Sequence, residues 1–130
     1  MAELLVKDIM TRELKSILYD KSIKEAAEKM TDEKIPFLLV IDEKDNPIGI
    51  VTRKDIAFRV MRKSKNPEDI LVSAVMSSPI ATVSENLNVR NFGKLLGEKG
   101  YKRLLVEREG ILVGAASNTD ILKAVANNQI

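Results

Sequence analysis

The chain has 130 residues, 45% hydrophobic and 31% charged, a balance typical of one globular domain with a single core. It contains no cysteine and no histidine, which excludes disulfides, thiol nucleophiles, zinc fingers and imidazole acid–base chemistry. The net charge of +2 is too small to indicate nucleic-acid binding, and no apolar run approaches the roughly 20 residues of a membrane span. We therefore expect a cytoplasmic protein.

The first half of the chain predicts two helices separated by two strands. The first helix begins after Ser22, whose hydroxyl can cap it in a box with Glu25. The elements that follow are an apolar strand over 37–41, a turn over 45–47, a strand over 48–51, and a helix from Thr52 with an apolar face at Ile56, Ala57, Val60 and Met61.

The second half predicts the same order of elements. A short basic linker, residues 62–65, precedes it, and Asn66 with Pro67 is typical of a helix start. The elements are a helix marked by Val89, Phe92, Leu95 and Leu96, a strand over 104–106, a turn at Glu109-Gly110, a strand over 111–116, and a helix from Ser117.

The similarity of the two halves indicates an internal repeat. Residues 49–56 recur as 114–121, and 39–42 align with 104–107 at the same offset. The four residues from Asp8 resemble the four from Ala74, one residue out of register. We predict an α/β fold of two β-α-β-β-α repeats, residues 1–65 and 66–130. A three-stranded repeat cannot cover its own sheet, so we expect the two to pack sheet to sheet around a pseudo-twofold axis, with shared clefts.

The sequence Thr52-x-x-Asp55 follows a strand, and Ser117-x-x-Asp120 does the same in the second repeat. A hydroxyl with an acid three residues on is a common helix cap. The same geometry suits a ribose phosphate, because the helix N-terminus attracts a phosphate and the carboxylate accepts from two ribose hydroxyls. Arg53 adds a positive charge where Asn118 cannot, which favours the first repeat as the anion site.

These motifs resemble the CBS domain, here in tandem as a CBS pair over about residues 6–126. The evidence is an apolar pair before Thr-x-x-Asp, a Leu-x-Val strand, and the opening Asp-Ile-Met-Thr. The resemblance implies AMP, ADP, ATP or S-adenosylmethionine as ligand. It implies that Asp55 and Asp120 hold ribose hydroxyls, that Thr52 and Ser117 lie near the phosphate, and that first strands at Ile17-Leu18 and Thr82-Val83 meet the adenine.

The resemblance also implies a basic pair before the middle strand, directed at the phosphates. Lys102-Arg103 matches it in the second repeat, whereas Phe37-Leu38 stands there in the first. The two clefts are therefore chemically unequal. A solvated edge is an equally good interpretation of Lys102-Arg103. Gly49 and Gly114, inside strands, indicate a close approach of backbone, ligand or the other repeat. The methionines Met10, Met30, Met61 and Met76 are expected in the core or an interface.

We expect a regulatory module, not an enzyme, that binds an adenine nucleotide and needs no cofactor or metal. Ligand occupancy would change its association with a protein partner. The resemblance further implies a homodimer through the helices of both repeats. The alternative is a ligand-independent dimeric scaffold in which Thr/Ser-x-x-Asp only caps helices. Nucleic-acid contact through the basic cluster is the weaker interpretation, and no membrane contact is expected; the cluster consists of Arg59, Arg62, Lys63 and Lys65.

Overall fold

A computed structural model of the chain describes residues 3–130. They form two compact units, one of Lys15–Ile80 and the other of Ala81–Ile130 with the segment that ends at Leu14. The elements in chain order are α1 (Val6–Ile9), β1 (Ser16–Leu18), α2 (Ile23–Asp32), β2 (Phe37–Ile41), β3 (Pro47–Thr52), a π-helix (Asp55–Val60), 3₁₀ turns (Pro67–Asp69 and Val72–Ala74), β4 (Thr82–Ser84), α3 (Val89–Lys99), β5 (Arg103–Arg108), β6 (Ile111–Ser117) and α4 (Asn118–Ala126).

The unit Lys15–Ile80 is built on the sheet β1-β2-β3, with β2 in the middle. Strand β1 runs parallel to β2, and β3 runs antiparallel to it. Ser22 caps α2 as predicted, because its hydroxyl accepts from the Glu25 N–H at 3.1 Å. Ile23 and Met30 then bury one face of α2 against the central strand, where Leu38 and Val40 are inaccessible to solvent. An aliphatic core of this kind is what a chain with few aromatic residues predicts.

The other unit repeats the arrangement with the sheet β4-β5-β6. Asn88 caps α3 by accepting from the Asn91 N–H at 2.8 Å, and Gly100 ends this helix in the left-handed conformation at φ 69°. Phe92 is fully buried in this core beside Leu104 and Val106. Both repeats therefore have the predicted β-α-β-β-α order, and the α/β fold class is confirmed.

The β2–β3 and β5–β6 hairpins differ by one residue, which changes the alignment of the repeats. Val40 pairs with Gly49 across residues 41–48, whereas Val106 pairs with Gly114 across the shorter 107–113. The shorter loop turns at Glu109 and Gly110, both with positive φ, the two-residue turn that a hairpin favours. Structurally, 39–42 therefore match 105–108 and not 104–107. The ungapped alignment was wrong by one residue, and the apparent slip at Asp8 has the same cause.

A short segment from elsewhere in the chain lies along the free edge of β3 and of β6. Ser77 pairs with Ile50 in one unit, and Thr11 pairs with Ala115 in the other. A Cβ atom at Gly114 would lie 2.6 Å from the Thr11 carbonyl oxygen, closer than side-chain carbons come. At Gly49 the neighbours are the Met76 sulfur, 2.5 Å away, and the Ser77 carbonyl, 3.0 Å away. The predicted close approach is confirmed at both glycines, with a chain segment as the partner.

These edge segments explain why the compact units do not coincide with the sequence repeats. The segment that ends at Leu14 belongs by sequence to the first repeat, but it packs on the second sheet. Residues 70–77 belong by sequence to the second repeat, but they pack on the first sheet. Corresponding hydrogen bonds confirm the exchange: the Val72 N–H donates to the Lys21 carbonyl, and the Val6 N–H donates to the Leu87 carbonyl, each at 2.8 Å.

Three local predictions were wrong. Ala57 and Met61, predicted on the buried face of the helix from Thr52, are exposed, Met61 at 73%, and this helix is a π-helix rather than an α-helix. Asn66 makes no side-chain cap, and the expected helix after it is a single 3₁₀ turn.

Within residues 3–130, no helix combines the length and apolar character that a bilayer crossing requires.

The second unit contains a buried glutamate, Glu85, directly after β4. Its side chain accepts a hydrogen bond from Arg108, and this contact lowers the pKa of Glu85. A lowered carboxyl pKa stabilises the fold above the ordinary titration range of glutamate, and that stabilisation is lost as the pH falls through the lowered pKa. Tyr19 occupies the corresponding place in the first unit. Its N–H donates to the Ile41 carbonyl, as the Glu85 N–H donates to the Glu107 carbonyl.

We predict that Gly114→Ala lowers the free energy of unfolding by about 1–3 kcal/mol, because the new methyl group must displace the Thr11 backbone. Gly97→Ala is the control. No atom lies within 4 Å of a Cβ there, and alanine favours an α-helix over glycine by about 0.8–1.0 kcal/mol. Urea unfolding measures both. Equal effects of the two substitutions would contradict the edge contact.

Candidate functional site

The predicted ligand residues of the second repeat gather at one end of its sheet. Arg103 begins β5 and pairs with Ser117, which ends β6. The Lys102 carbonyl accepts from the Asn118 N–H at 2.9 Å, which places Lys102 beside the first turn of α4. Strand β4 starts near the same end, where Thr82 pairs with Leu105. Thr82 and Lys102 are exposed, whereas Val83 is buried.

The corresponding residues of the first repeat are arranged in the same way. Phe37 begins β2 and pairs with Thr52 at the end of β3, and the Arg53 N–H donates to the Pro36 carbonyl at 3.2 Å. On β1, Ile17 is buried and Leu18 is 37% exposed. Pro36-Phe37 therefore corresponds to Lys102-Arg103. Phe37-Leu38, taken from the ungapped alignment, was wrong by one residue, but the apolar character of the position is unchanged.

Each Thr/Ser-x-x-Asp element forms the predicted capping box. In the first repeat, Asp55 Oδ2 accepts from the Thr52 N–H at 3.0 Å and from its hydroxyl at 3.1 Å, while the Asp55 N–H donates back to Thr52 Oγ1. In the second, Asp120 Oδ2 accepts from the Ser117 N–H at 2.8 Å and from its hydroxyl at 3.1 Å. In both repeats one carboxylate oxygen is thus fully used by the cap.

The second carboxylate oxygen has different surroundings in the two repeats. Asp55, 8% exposed, places Oδ1 3.5 Å from Arg59 Nε. Arg59 is in turn held by the Val75 carbonyl, to which its Nη1 donates at 3.0 Å. Asp120 is half-buried, and among residues 3–130 no donor or cation contacts its Oδ1. The position equivalent to Arg59 is Ala124, which is 1% exposed.

Sequence reasoning missed Arg59. The signal was present, because an acid and an arginine four residues apart face each other on a helix. It was interpreted only as part of a basic helix end. What the sequence could not provide is the second contact, with Val75, which depends on the edge segment returning to this unit.

The first turn of each helix offers few backbone donors to a ligand. In α4 the N–H groups of Ser117, Asn118 and Asp120 already donate within the protein, and the same holds for Thr52, Arg53 and Asp55. The Ser117 hydroxyl hydrogen also points to Asp120. A phosphate at this end would therefore depend mainly on cationic side chains. In the second repeat these are Lys102 and Arg103, and in the first the exposed Arg53 and Lys54 lie within the Thr-x-x-Asp element.

A surface hollow of about 520 Å³ lies in the unit Lys15–Ile80, away from these residues. It is lined by residues 63–65 and 69–71 and by Ala74, at the basic linker and the two 3₁₀ turns. None of the predicted ligand residues contributes to it. The hollow is therefore not the predicted site.

The family model of the CBS domain matches the chain twice, over residues 6–62 and 72–127. The fold is similar to that of an uncharacterized conserved protein from Pyrococcus horikoshii, with a TM-score of 0.88 and 28% identity over 96% of this chain and 95% of that one. It is also similar to a hexameric CBS-CP12 protein from bloom-forming cyanobacteria, with a TM-score of 0.83 and 28% identity over 94% of this chain and 68% of that one.

A curated relative, an uncharacterized protein of Methanopyrus kandleri, is 38% identical over 100 residues, which are 76% of this chain. The chain spans 51% of that relative's length, and 32% and 57% of the lengths of two relatives from Methanocaldococcus jannaschii. The chain therefore corresponds to only part of each of these longer proteins.

We predict that Ser117→Ala lowers the free energy of unfolding by about 1 kcal/mol, because the Asp120 N–H loses its acceptor. Thr119→Ala is the control, because Thr119 is exposed in the first turn of α4. It should change the free energy of unfolding by less than about 0.5 kcal/mol. Urea unfolding of the two variants compares them. A Ser117→Ala protein as stable as the wild type would show that the cap contributes nothing.

Proposed function

Because the chain belongs to the CBS domain family and carries two copies of the domain, we propose that it is a regulatory module that binds an adenine nucleotide. AMP, ADP, ATP and S-adenosylmethionine are the ligands in question. Binding would alter how the protein associates with itself or with a protein partner. In this proposal the nucleotide is a signal and not a substrate, and the protein has no catalytic role.

The observation that carries the proposal is the half-used carboxylate of Asp120. A capping acid needs only one oxygen, and the other remains available as an acceptor. Two neighbouring ribose hydroxyls are donors that such an oxygen can accept from, and hydrogen bonds to a charged acceptor are the stronger kind. Lys102 and Arg103 at the same end of the sheet supply positive charge for a phosphate.

The alternative, a ligand-independent scaffold, is favoured by the completeness of both capping boxes. Every polar atom of the Thr52 and Ser117 side chains is satisfied without a ligand. Under this alternative the motif would serve only to start two helices, and partner contacts would lie on the helix surfaces. Nucleotide titration separates the two proposals.

We predict that calorimetric titration with at least one of the four ligands shows saturable binding. The double variant Asp55→Asn/Asp120→Asn should weaken it at least about tenfold, because an amide keeps the capping oxygen but places a donor where the hydroxyls need an acceptor. Asp32→Asn, at the exposed end of α2, is the control for the lost charge. No heat of binding with any of the four ligands would reject the nucleotide proposal and favour the scaffold.

We propose also that the chain forms a homodimer through helix faces. Leu122 and Val125, three residues apart on one face of α4, are 67% and 52% exposed. Phe58 in the π-helix and Met61 directly after it add apolar surface, since they are 59% and 73% exposed. Apolar side chains exposed in pairs on one helix face are typical of interfaces. The hexameric assembly of the CBS-CP12 relative supports self-association in this fold.

We predict that light scattering gives a dimer mass for the wild type and a shift toward monomer for Leu122→Lys, because the interface would have to bury a charge. Ile111→Lys is the matched control, since Ile111 is 69% exposed but lies at the tip of the β5–β6 hairpin. A monomeric wild type, or equal masses for both variants and the wild type, would contradict the helix interface.

A further inference from the structure

We infer that the ion pair with Arg59 prevents the Asp55 carboxylate from accepting hydrogen bonds from a ribose. A nucleotide would therefore bind only at the repeat that contains Asp120. The inference rests on the proposed function and adds to it which repeat carries the site and which residue decides this. It starts from a difference between two elements that share the same capping box, followed by a π-helix in the first repeat and by the α-helix α4 in the second.

Both oxygens of the Asp55 carboxylate have a protein partner, one through hydrogen bonds and the other through an ion pair. Oδ2 receives the N–H and the hydroxyl of Thr52, and Oδ1 faces Arg59 Nε at 3.5 Å. A ribose hydroxyl approaching Oδ1 would compete with a guanidinium, which is also a donor and cannot act as an acceptor. With only 11% of the Asp55 side chain exposed, little of the carboxylate remains for a second partner.

Arg59 is held in place from its other side, which is why its contact with Asp55 is more than a surface ion pair. Its Nη1 donates to the Val75 carbonyl at 3.0 Å and lies 3.4 Å from the Met76 carbonyl. Those carbonyls belong to the segment that lies on β3, where Ser77 pairs with Ile50. Moving the guanidinium away from Asp55 would therefore break hydrogen bonds to a fixed backbone. An exposed arginine without such an anchor would leave at little cost.

The second repeat has the opposite combination. Ala124 stands where Arg59 stands in the first, and its methyl group is buried and uncharged. Asp120 Oδ1 is without a protein partner in the described part of the chain. The residues that begin the central strand differ in the same sense, Lys102-Arg103 in the second repeat against Pro36-Phe37 in the first. In the second repeat a carboxylate oxygen without a protein partner and the cations at the start of β5 thus lie at the same end of the sheet.

Arg53 led us to expect the first repeat to be the anion site, whereas here the first repeat is the one that binds no nucleotide. That arginine adds charge beside the first cap, but its side chain is exposed, and the sheet end beside it is formed by Pro36 and Phe37. Charge for the phosphate is of little use where the ribose acceptor is already occupied. The carboxylate and not the neighbouring cation therefore selects the repeat.

The test is the stoichiometry of AMP binding, measured by calorimetry on the full chain. We expect one AMP per chain for the wild type, a loss of at least about tenfold in affinity for Asp120→Asn, and a change of less than about twofold for Asp55→Asn. Arg59→Ala should bind two AMP per chain, and adding Asp55→Asn to it should restore one. Arg62→Ala, which removes a nearby exposed arginine, is the control and should keep one.

A second variant, Arg59→Gln, tests the same point if Arg59→Ala does not fold. Its amide can still donate to the Val75 carbonyl, but it carries no charge. It should also bind two AMP. Two AMP per wild-type chain, loss of binding in Asp55→Asn, or a single site in both folded Arg59 variants would overturn the inference while leaving the proposed function intact. If AMP, ADP, ATP and S-adenosylmethionine fail to bind the wild type and both Arg59 variants, the proposed function fails and the inference with it.

Discussion

A carboxylate has two oxygens, and the start of a helix at the end of a strand requires one of them. In both repeats the capping acid gives one oxygen to the N–H and hydroxyl of the residue that ends the strand. The cap fixes the direction of the side chain as well as the helix start. The second oxygen is therefore held at one end of the sheet, and its neighbours decide whether the motif is only structural or can also bind a ligand.

The edge segments are the second constraint on that site. Strands β3 and β6 would each present an open edge, and each is covered by a segment that the opposite sequence repeat supplies. The close approach requires glycine at one position on each strand. In the first unit the same segment also offers the carbonyls that hold Arg59, so the covering of a strand edge determines the surroundings of a carboxylate.

Local signals were sufficient to predict most of the fold. Ser22 and Glu25 predicted the start of α2, the apolar run Phe37–Ile41 is β2 as expected, and the turn at Glu109-Gly110 was evident from its residues. Each of these features depends on neighbours within a few residues. The repeat itself was found because glycine and the acid recur at fixed offsets on the strand and helix that carry the motif.

The missed features depend on contacts between residues far apart in sequence or on small changes of geometry. The one-residue difference between the hairpins shifts every upstream correspondence, and an ungapped comparison cannot detect it. Met61 is exposed after a π-helix, although the apolar pattern that includes Ile56 and Val60 predicts an α-helix there. The exchange of edge segments left no local signal, because residues 8–11 have the same pattern whichever sheet they cover.

These differences give the two copies of one unit unequal surroundings for the same carboxylate. Duplication gives both copies the same strand, cap and acid, and the fold needs those features in each. Residues outside the motif differ, Arg59 against Ala124 and Pro36 against Lys102, while the strand ends and the capping boxes remain the same. The motif is of use to the fold whether or not a repeat binds a ligand, since a side-chain cap contributes about 1 kcal/mol to the start of a helix. The presence of Thr/Ser-x-x-Asp therefore locates a helix, and the partner of its second oxygen indicates function.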